Sequence, residues 1–349
     1  MMPSRWEHGS EFHWPALDEP QPDPVRDALA SRTLRRYATG RAAFAAVVRV
    51  SGAQRLWIPS YFCPEVSEAL EREVPLAVYP DLPEPNTAPA CPWAQPGDAV
   101  LWVNTFAIRR PPTSPVPSGV ITIEDHTHDP LGSWAQQSAA DYWVASLRKT
   151  MPIPDGAVAW SPTGARLPDE VAPDDAPDLR KLTAMILKGL YLRGHAVSKD
   201  EFRALAIAGE TALAERTAMS RVSAELWTRL PLSRWRSVRG DNYGAFVRAL
   251  GATPGVRVLE GREPAEPPFS VQLSFDEPAA RTRVRAALIA ARIYPAILWD
   301  LASAPSRTGV TEHDRRRSQT LLSLHCDARY GVADMERVAA CVRAAIVSP

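Results

Sequence analysis

The sequence predicts an α/β protein: a large unit with a mainly parallel sheet sandwiched by helices, then a smaller C-terminal α+β unit. Three observations carry this expectation. From about residue 30 to 165, short apolar runs alternate with helix-like segments and turns, the pattern of strands joined by crossovers. Several of the runs are apolar at consecutive positions, so both faces of the strand are buried, as in a parallel sheet. After residue 178 long helical segments take over, and a shorter mixture of strands and helices follows. On this basis the chain divides into residues 1–230, with an N-terminal arm, and residues 231–349.

The elements follow in order. Arg41–Val50, "RAAFAAVVRV", is alanine-rich with helical spacing, and "RLWIP" (Arg55–Pro59) reads as a strand. "PEVSEALERE" (Pro64–Glu73) is a helix opening on proline, where a missing N–H costs nothing. Strands are expected at "PLAVYP", "AVLWVNTF", "GVITIED", "ADYWVAS" and "GAVAWS". "DLRKLTAMILKGLYLRG" and "KDEFRALAIAGETALAERTAMSRVSAELW" carry apolar residues at helix spacing. In the second unit "DNYGAFVRALGAT", "PAARTRVRAALIAARI" and "VADMERVAACVRAAIV" read as helices, and "FSVQLSF", "AILW" and "LLSLH" as strands. The 34 prolines are about twice the usual ~5%. Many lie between Pro75 and Pro117, which argues for stiff, ordered loops.

Composition narrows the function. Forty basic residues balance forty acidic ones, so no global field draws the chain to nucleic acid or a membrane surface. "HDRRRS" (His313–Ser318) is a short charged run that reads as a solvated loop. The cysteines Cys63, Cys91, Cys326 and Cys341 form no CxxC pair and no cluster with metal spacing, so no metal is expected. Free thiols, no apolar leader and no membrane-length apolar run lead to a cytoplasmic expectation. No GxGxxG follows an early strand, which removes the dinucleotide-binding fingerprint.

Four features carry candidate chemistry. Glu124 and Asp125 stand at the carboxyl end of "VITIED", the edge of an open α/β sheet where ligands bind. The bland alternative is an acid capping the next turn. Lys149 follows the next strand in "SLRKTMPIPDGA", and Arg148 beside it favours a neutral, nucleophilic amine. Alternatively it is a solvated strand-end lysine. Thr39 and Gly40 open a helix, where N–H groups and the dipole attract an anion, or serve only as an ordinary cap. Tyr61 and Phe62, between a strand and a helix, suit either a flat heterocycle or the core. Acid, lysine, anion site and aromatic together are what pyridoxal phosphate requires.

"TGRAA", "WIPSYFCPEV", "IEDHTHDPLG", "SAADYWVASLRKTMPIPDGA" and, more loosely, "LLSLHCDARYGVADMERV" resemble the DegT/DnrJ/EryC1/StrS aminotransferases, among the fold type I pyridoxal-phosphate enzymes. The resemblance implies that Lys149 forms the Schiff base with the cofactor and shuttles the substrate proton. It implies that Asp125 keeps the pyridine nitrogen protonated and that His128 hydrogen-bonds the ring oxygen. Ser146 binds the phosphate with Gly40, Arg41 and Thr39, Tyr61 or Phe62 stacks on the ring, and Asn242 is a further cofactor contact. A substrate carboxylate calls for an arginine, for which Arg329, Arg307 and Arg148 are candidates. A homodimer is implied, with a small-molecule amino donor and acceptor, in specialised or cell-surface biosynthesis.

The sequence also departs from the family pattern. Val144 stands where a phosphate-binding serine is usual, Ala107 where glycine is usual, and no "GYNxR" segment is present. These departures bear on the substrate more than on the cofactor. Two alternatives remain: another pyridoxal-phosphate reaction (racemisation, elimination, carbon–carbon bond formation), or a cofactor-free, non-catalytic relative.

Overall fold

The computed structural model describes residues 5–15, 21–84, 87–173, 179–214, 216–260 and 266–347. Seven strands form the main sheet, in the spatial order Arg35–Tyr37, Ala157–Trp160, Tyr142–Ala145, Ile121–Asp125, Asp98–Val103, Arg55–Pro59, Leu76–Tyr79. The last five are mutually parallel. Ala157–Trp160 runs antiparallel to Tyr142–Ala145, and Arg35–Tyr37 antiparallel to Ala157–Trp160. The edge strand Arg35–Tyr37 is too short and too charged to stand out in the sequence.

Both faces of the sheet are covered, as the apolar runs require. Ala99, Leu101 and Val103 pack with Phe44, Val47 and Val48 of the helix Gly40–Ser51. Val100 and Trp102, pointing the other way, pack with Tyr79 and Trp134. Trp143, Ala145 and Val158 meet Leu29, Leu226, Trp227 and Leu232. This period-two division of one strand between two cores is what fixes its register.

A second core joins the helices Leu232–Leu250, Pro278–Ala290 and Val332–Val347 to an antiparallel sheet ordered Leu321–Leu324, Val271–Phe275, Val256–Leu259. The N-terminal arm, grouped by sequence with the larger unit, docks here. Its strand His8–Gly9 pairs with Ile293–Tyr294, and Trp6 Nε1 donates to Asp334 at 2.6 Å. Gly9 lies at φ 88°, and a Cβ there would stand 2.1 Å from the Tyr294 carbonyl oxygen, so only glycine fits.

Four expectations change. "HDRRRS" is not a solvated loop: it lies in the helix Glu312–Ser318, which Thr311 caps and which buries Asp314 and Ser318. The long helical segment after Lys199 breaks into Lys199–Leu213 and Arg221–Trp227, because Ser220 caps the second helix by accepting the Ser223 N–H. The helix expected from Asp241 starts earlier, at Leu232, just after Pro231. "AILW" is not a strand. Only Ala296 bridges to Ser323, and Trp299 turns away at φ 60°.

Candidate active site

The parallel register sets the carboxyl ends of three strands side by side. Asp125 lies opposite Val103 on one neighbour and Val144 on the other. The Asn104 N–H donates to the Asp125 carbonyl at 3.0 Å, and the His126 N–H to the Val144 carbonyl at 2.8 Å. The strand order reverses between Arg55–Pro59 and Asp98–Val103, which opens a crevice at this edge. Side chains from the ends of all these strands meet there.

Asp125 is buried and accepts the Thr127 N–H at 2.8 Å. Burial pushes its carboxyl above the usual carboxylate range, against the hydrogen bonds from Thr127 and the nearby charges of His126 and Lys149. A carboxylate in this state favours a cationic partner. Thr127 also links the next strand, since its Oγ1 accepts the Ser146 N–H at 3.0 Å. Ser146 in turn touches the start of the helix Gly40–Ser51: a Cβ on Gly40 would stand 3.2 Å from Ser146 Cβ. Thr39 uses its hydroxyl to cap Ala42, and Arg41 is half-buried in the same first turn. A helix start leaves its first N–H groups without intrahelical acceptors, so Gly40, Arg41 and Ser146 form a polar cradle.

Lys149 ends the short turn Leu147–Lys149 and opens on a cavity of about 650 Å³. Its side chain is exposed and lines that concave space. Surrounding protein and the neighbouring Arg148 lower its pKa from the ordinary lysine value, while Cys63, Glu210 and Glu65 oppose the shift. The Lys149 charge is felt in turn at Asp125, His128 and Cys63, so acid and amine share one electrostatic site.

His128 is buried and accepts the Phe106 N–H on Nδ1 at 3.0 Å, which puts its proton on Nε2. Phe106 and Ala107 both have φ 58°, a left-handed turn that costs non-glycine residues about 1–2 kcal/mol each. Tyr61 and Phe62 are buried, and the Tyr61 hydroxyl donates to the Leu298 carbonyl. The ring of Trp299 stands 5.1 Å from Tyr61, 5.7 Å from His128, 6.1 Å from Phe62 and 6.3 Å from Phe106. Trp299 was hidden in "AILWD", where a strand reading gave no reason to send the indole toward this crevice. Phe269, 4.6 Å from His128, was likewise read as part of a strand.

Other sequence candidates lie elsewhere. Asn242 is buried in a helix, and its Nδ2 donates to the carbonyls of Cys326, Asp327 and Tyr330. It ties the second core together rather than reaching the crevice. Arg329 pairs with Asp327 at 2.7 and 2.8 Å and lines a different cavity, with Asp129, Arg236 and Arg239. Arg307 pairs with Glu71 at 2.9 Å, away from Lys149. Arg148 does line the Lys149 cavity, but both arms of its guanidinium hold Glu210, one at 2.7 Å. Each of these arginines already has its own carboxylate.

Histidine burial makes the fold acid-sensitive. Burial lowers the pKa of His8 from 6.5 to about 4, and burial with the Lys149 charge lowers His128 from 6.5 to about 3. The unfolded chain takes up these protons near pH 6.5, so it binds more protons than the folded chain from there down to the folded values. Stability is therefore present above that window and is lost as pH falls through it. Each histidine contributes up to about 1.4 kcal/mol per pH unit. Urea unfolding followed downward from neutral pH is expected to show this loss, and a flat profile would contradict neutral burial.

Among the described residues no cluster of potential metal ligands occurs, the four cysteines are free, and no helix is long and apolar enough to cross a membrane. No family model and no curated protein matches the sequence. Solved structures do match. DesV from S. venezuelae, solved with a ketimine intermediate, is 13% identical with a TM-score of 0.60, covering 94% of this chain and 88% of its own. Spr1654 from Streptococcus pneumoniae in a PMP form is 11% identical with a TM-score of 0.59, covering 94% and 93%. The 3-amino-5-hydroxybenzoic acid synthase is 14% identical with a TM-score of 0.60, covering 97% and 100%. Across nearly its whole length, this chain therefore has the fold of these structures: a large, mostly parallel sheet flanked by helices.

Proposed function

We propose that this protein is a pyridoxal-phosphate-dependent aminotransferase of the DegT/DnrJ/EryC1/StrS type, acting on a sugar-like or other small metabolite. One observation carries the reading. A buried carboxylate and a low-pKa lysine follow adjacent parallel strands, beside a helix start whose Gly40 touches Ser146. The residues fit the cofactor: Asp125 is a buried acid that favours a cation, and the Gly40–Ser146 cradle is small, polar and at a helix N-terminus. The forms in which DesV and Spr1654 were solved support the same cofactor.

When bound, pyridoxal phosphate supplies an electron sink for charge developing on a substrate carbon. Gly40, Arg41 and Ser146 would take the phosphate, with Thr39 fixing the helix start. Asp125 would hold the proton at the ring nitrogen, and the Nε2–H of His128 is the donor on the ring-oxygen side. Tyr61, Phe62 and Trp299, whose rings cluster beside His128, would supply apolar surface next to the flat ring. Lys149, neutral at a lower pH than an ordinary lysine, would hold the cofactor and would move the proton at the substrate carbon. An amino donor and an acceptor visit the site in turn. The proposal includes a homodimer, a cytoplasmic location, a role in biosynthesis and a division into units 1–230 and 231–349.

The test is an absorbance spectrum of the purified protein with added pyridoxal phosphate, then borohydride reduction and peptide mapping. A visible band and a reduced cofactor adduct on the Lys149 peptide are expected. Absence of both from the folded protein would overturn the reading.

A further inference from the structure

The cavity beneath Lys149 holds more positive charge than its own acids neutralise. Its carboxylates are Glu7, Glu11 and Glu210. Glu210 is held by Arg148 and by Lys181 at 3.1 Å, Glu11 by Lys181 at 3.0 Å, and Glu7 by Lys199 at 2.6 Å. Two guanidinium groups are left over. Arg203 comes from the helix Lys199–Leu213 and Arg285 from the helix Pro278–Ala290, both line this cavity, and neither pairs with an acid among the described residues.

These two come from distant parts of the chain and line one concave space, which Lys149 also lines. Like charges facing one another across a partly enclosed space repel more strongly than in bulk water, and an anion between them reverses the sign of that interaction. The walls between the charges are apolar, including Phe202, Phe269, Ile289 and Leu298. At about 650 Å³ the volume suits a small metabolite.

We propose that Arg203 and Arg285 receive a multiply charged oxyanion, phosphate or carboxylate, on the substrate upon which Lys149 acts. This rests on the reading of Lys149 as the reacting amine, and it replaces Arg329, Arg307 and Arg148 as the anion-binding arginines. Each guanidinium offers a planar fork matched to such a group.

The test is calorimetric titration of protein saturated with pyridoxal phosphate, whose own phosphate would take the Gly40–Ser146 cradle. The probes are inorganic pyrophosphate and, separately, succinate. We expect at least one to bind at a single site, and the Arg203→Ala/Arg285→Ala double variant to weaken it about tenfold or more. Which probe binds names the oxyanion. Both side chains are exposed, so thermal unfolding of the variant should match the wild type. A Lys/Lys double variant keeps the charge without the fork and is expected to fall between. Binding of neither probe, or equal affinity in the Ala variant, would overturn the proposal. The visible band, recorded on the same samples, reports Lys149 independently. If the band persists without arginine-dependent binding, only the oxyanion proposal fails. If binding depends on the arginines without a band, the cofactor reading fails and the anion site stands.

Discussion

Lys149→Ala is expected to lower turnover by about 10²–10⁴-fold, the range for removal of a group that transfers the proton. The fold should be untouched. Lys149 opens on a cavity, and among the described residues its amine makes no ion pair or hydrogen bond that would be broken. Unfolding free energy should change by no more than about 0.5 kcal/mol. Lys149→Arg keeps a positive charge but offers no amine that deprotonates in the working range, so it should be as inactive as the alanine variant. Activity restored in the arginine variant would mean that only the charge matters. Wild-type activity should rise with pH along a limb whose midpoint lies below the ordinary lysine value of 10.5, because surrounding protein and Arg148 both favour the neutral amine.

The largest effect on stability is expected at Asp81. Arg109 grips its carboxylate through both nitrogens at 2.6 Å, and both side chains are almost wholly buried. Asp81→Asn removes the charge that both Arg109 nitrogens grip, and breaking a buried pair by changing one partner costs about 3–5 kcal/mol. The loss extends to the site. Asp81 accepts the Tyr61 N–H through its carbonyl at 3.2 Å and donates its own N–H to Ser60 at 3.1 Å. Arg109 closes the left-handed turn at Phe106 and Ala107, from which the Phe106 N–H reaches His128. Urea unfolding is expected to show the drop, together with weaker cofactor binding. Replacing both partners, Asp81→Leu with Arg109→Met, should recover most of the stability, since breaking the pair costs more than removing it. A single variant as stable as the wild type would mean that the turn does not depend on this pair.

The mostly parallel sheet was legible because its strands are buried on both faces, and a run such as "AVLWV" has few other stable uses. Asp125 and Lys149 were legible as strand ends for the same reason: the period-two pattern stops there, and the chemistry of a strand's last residues stands out. Capping at Thr39 was visible because the signal is local. In each case the cause lies within a few residues of its effect.

What only the tertiary structure decided depends on pairs far apart in sequence. Whether Asp125 and Lys149 come close enough to feel each other's charge depended on the strand neighbours, a choice set by the packing of two cores rather than by either strand. Arg329 and Arg203 look alike in sequence, as arginines near helices. Asp327 pairs with one, while among the described residues no acid pairs with the other, and an ion pair is a property of two positions. Asn242 resembles a cofactor contact by sequence, yet its amide is spent on the carbonyls of Cys326, Asp327 and Tyr330, which are distant in the chain. Trp299 lay in a segment with strand-like composition. Its backbone is left-handed, and its indole packs among Tyr61, Phe62, Phe106 and His128, residues scattered over the preceding chain. The sequence by itself determined the sheet and the residues at its edge. Long-range packing decided which of them meet, because burial and charge pairing act between chain segments that no local pattern connects.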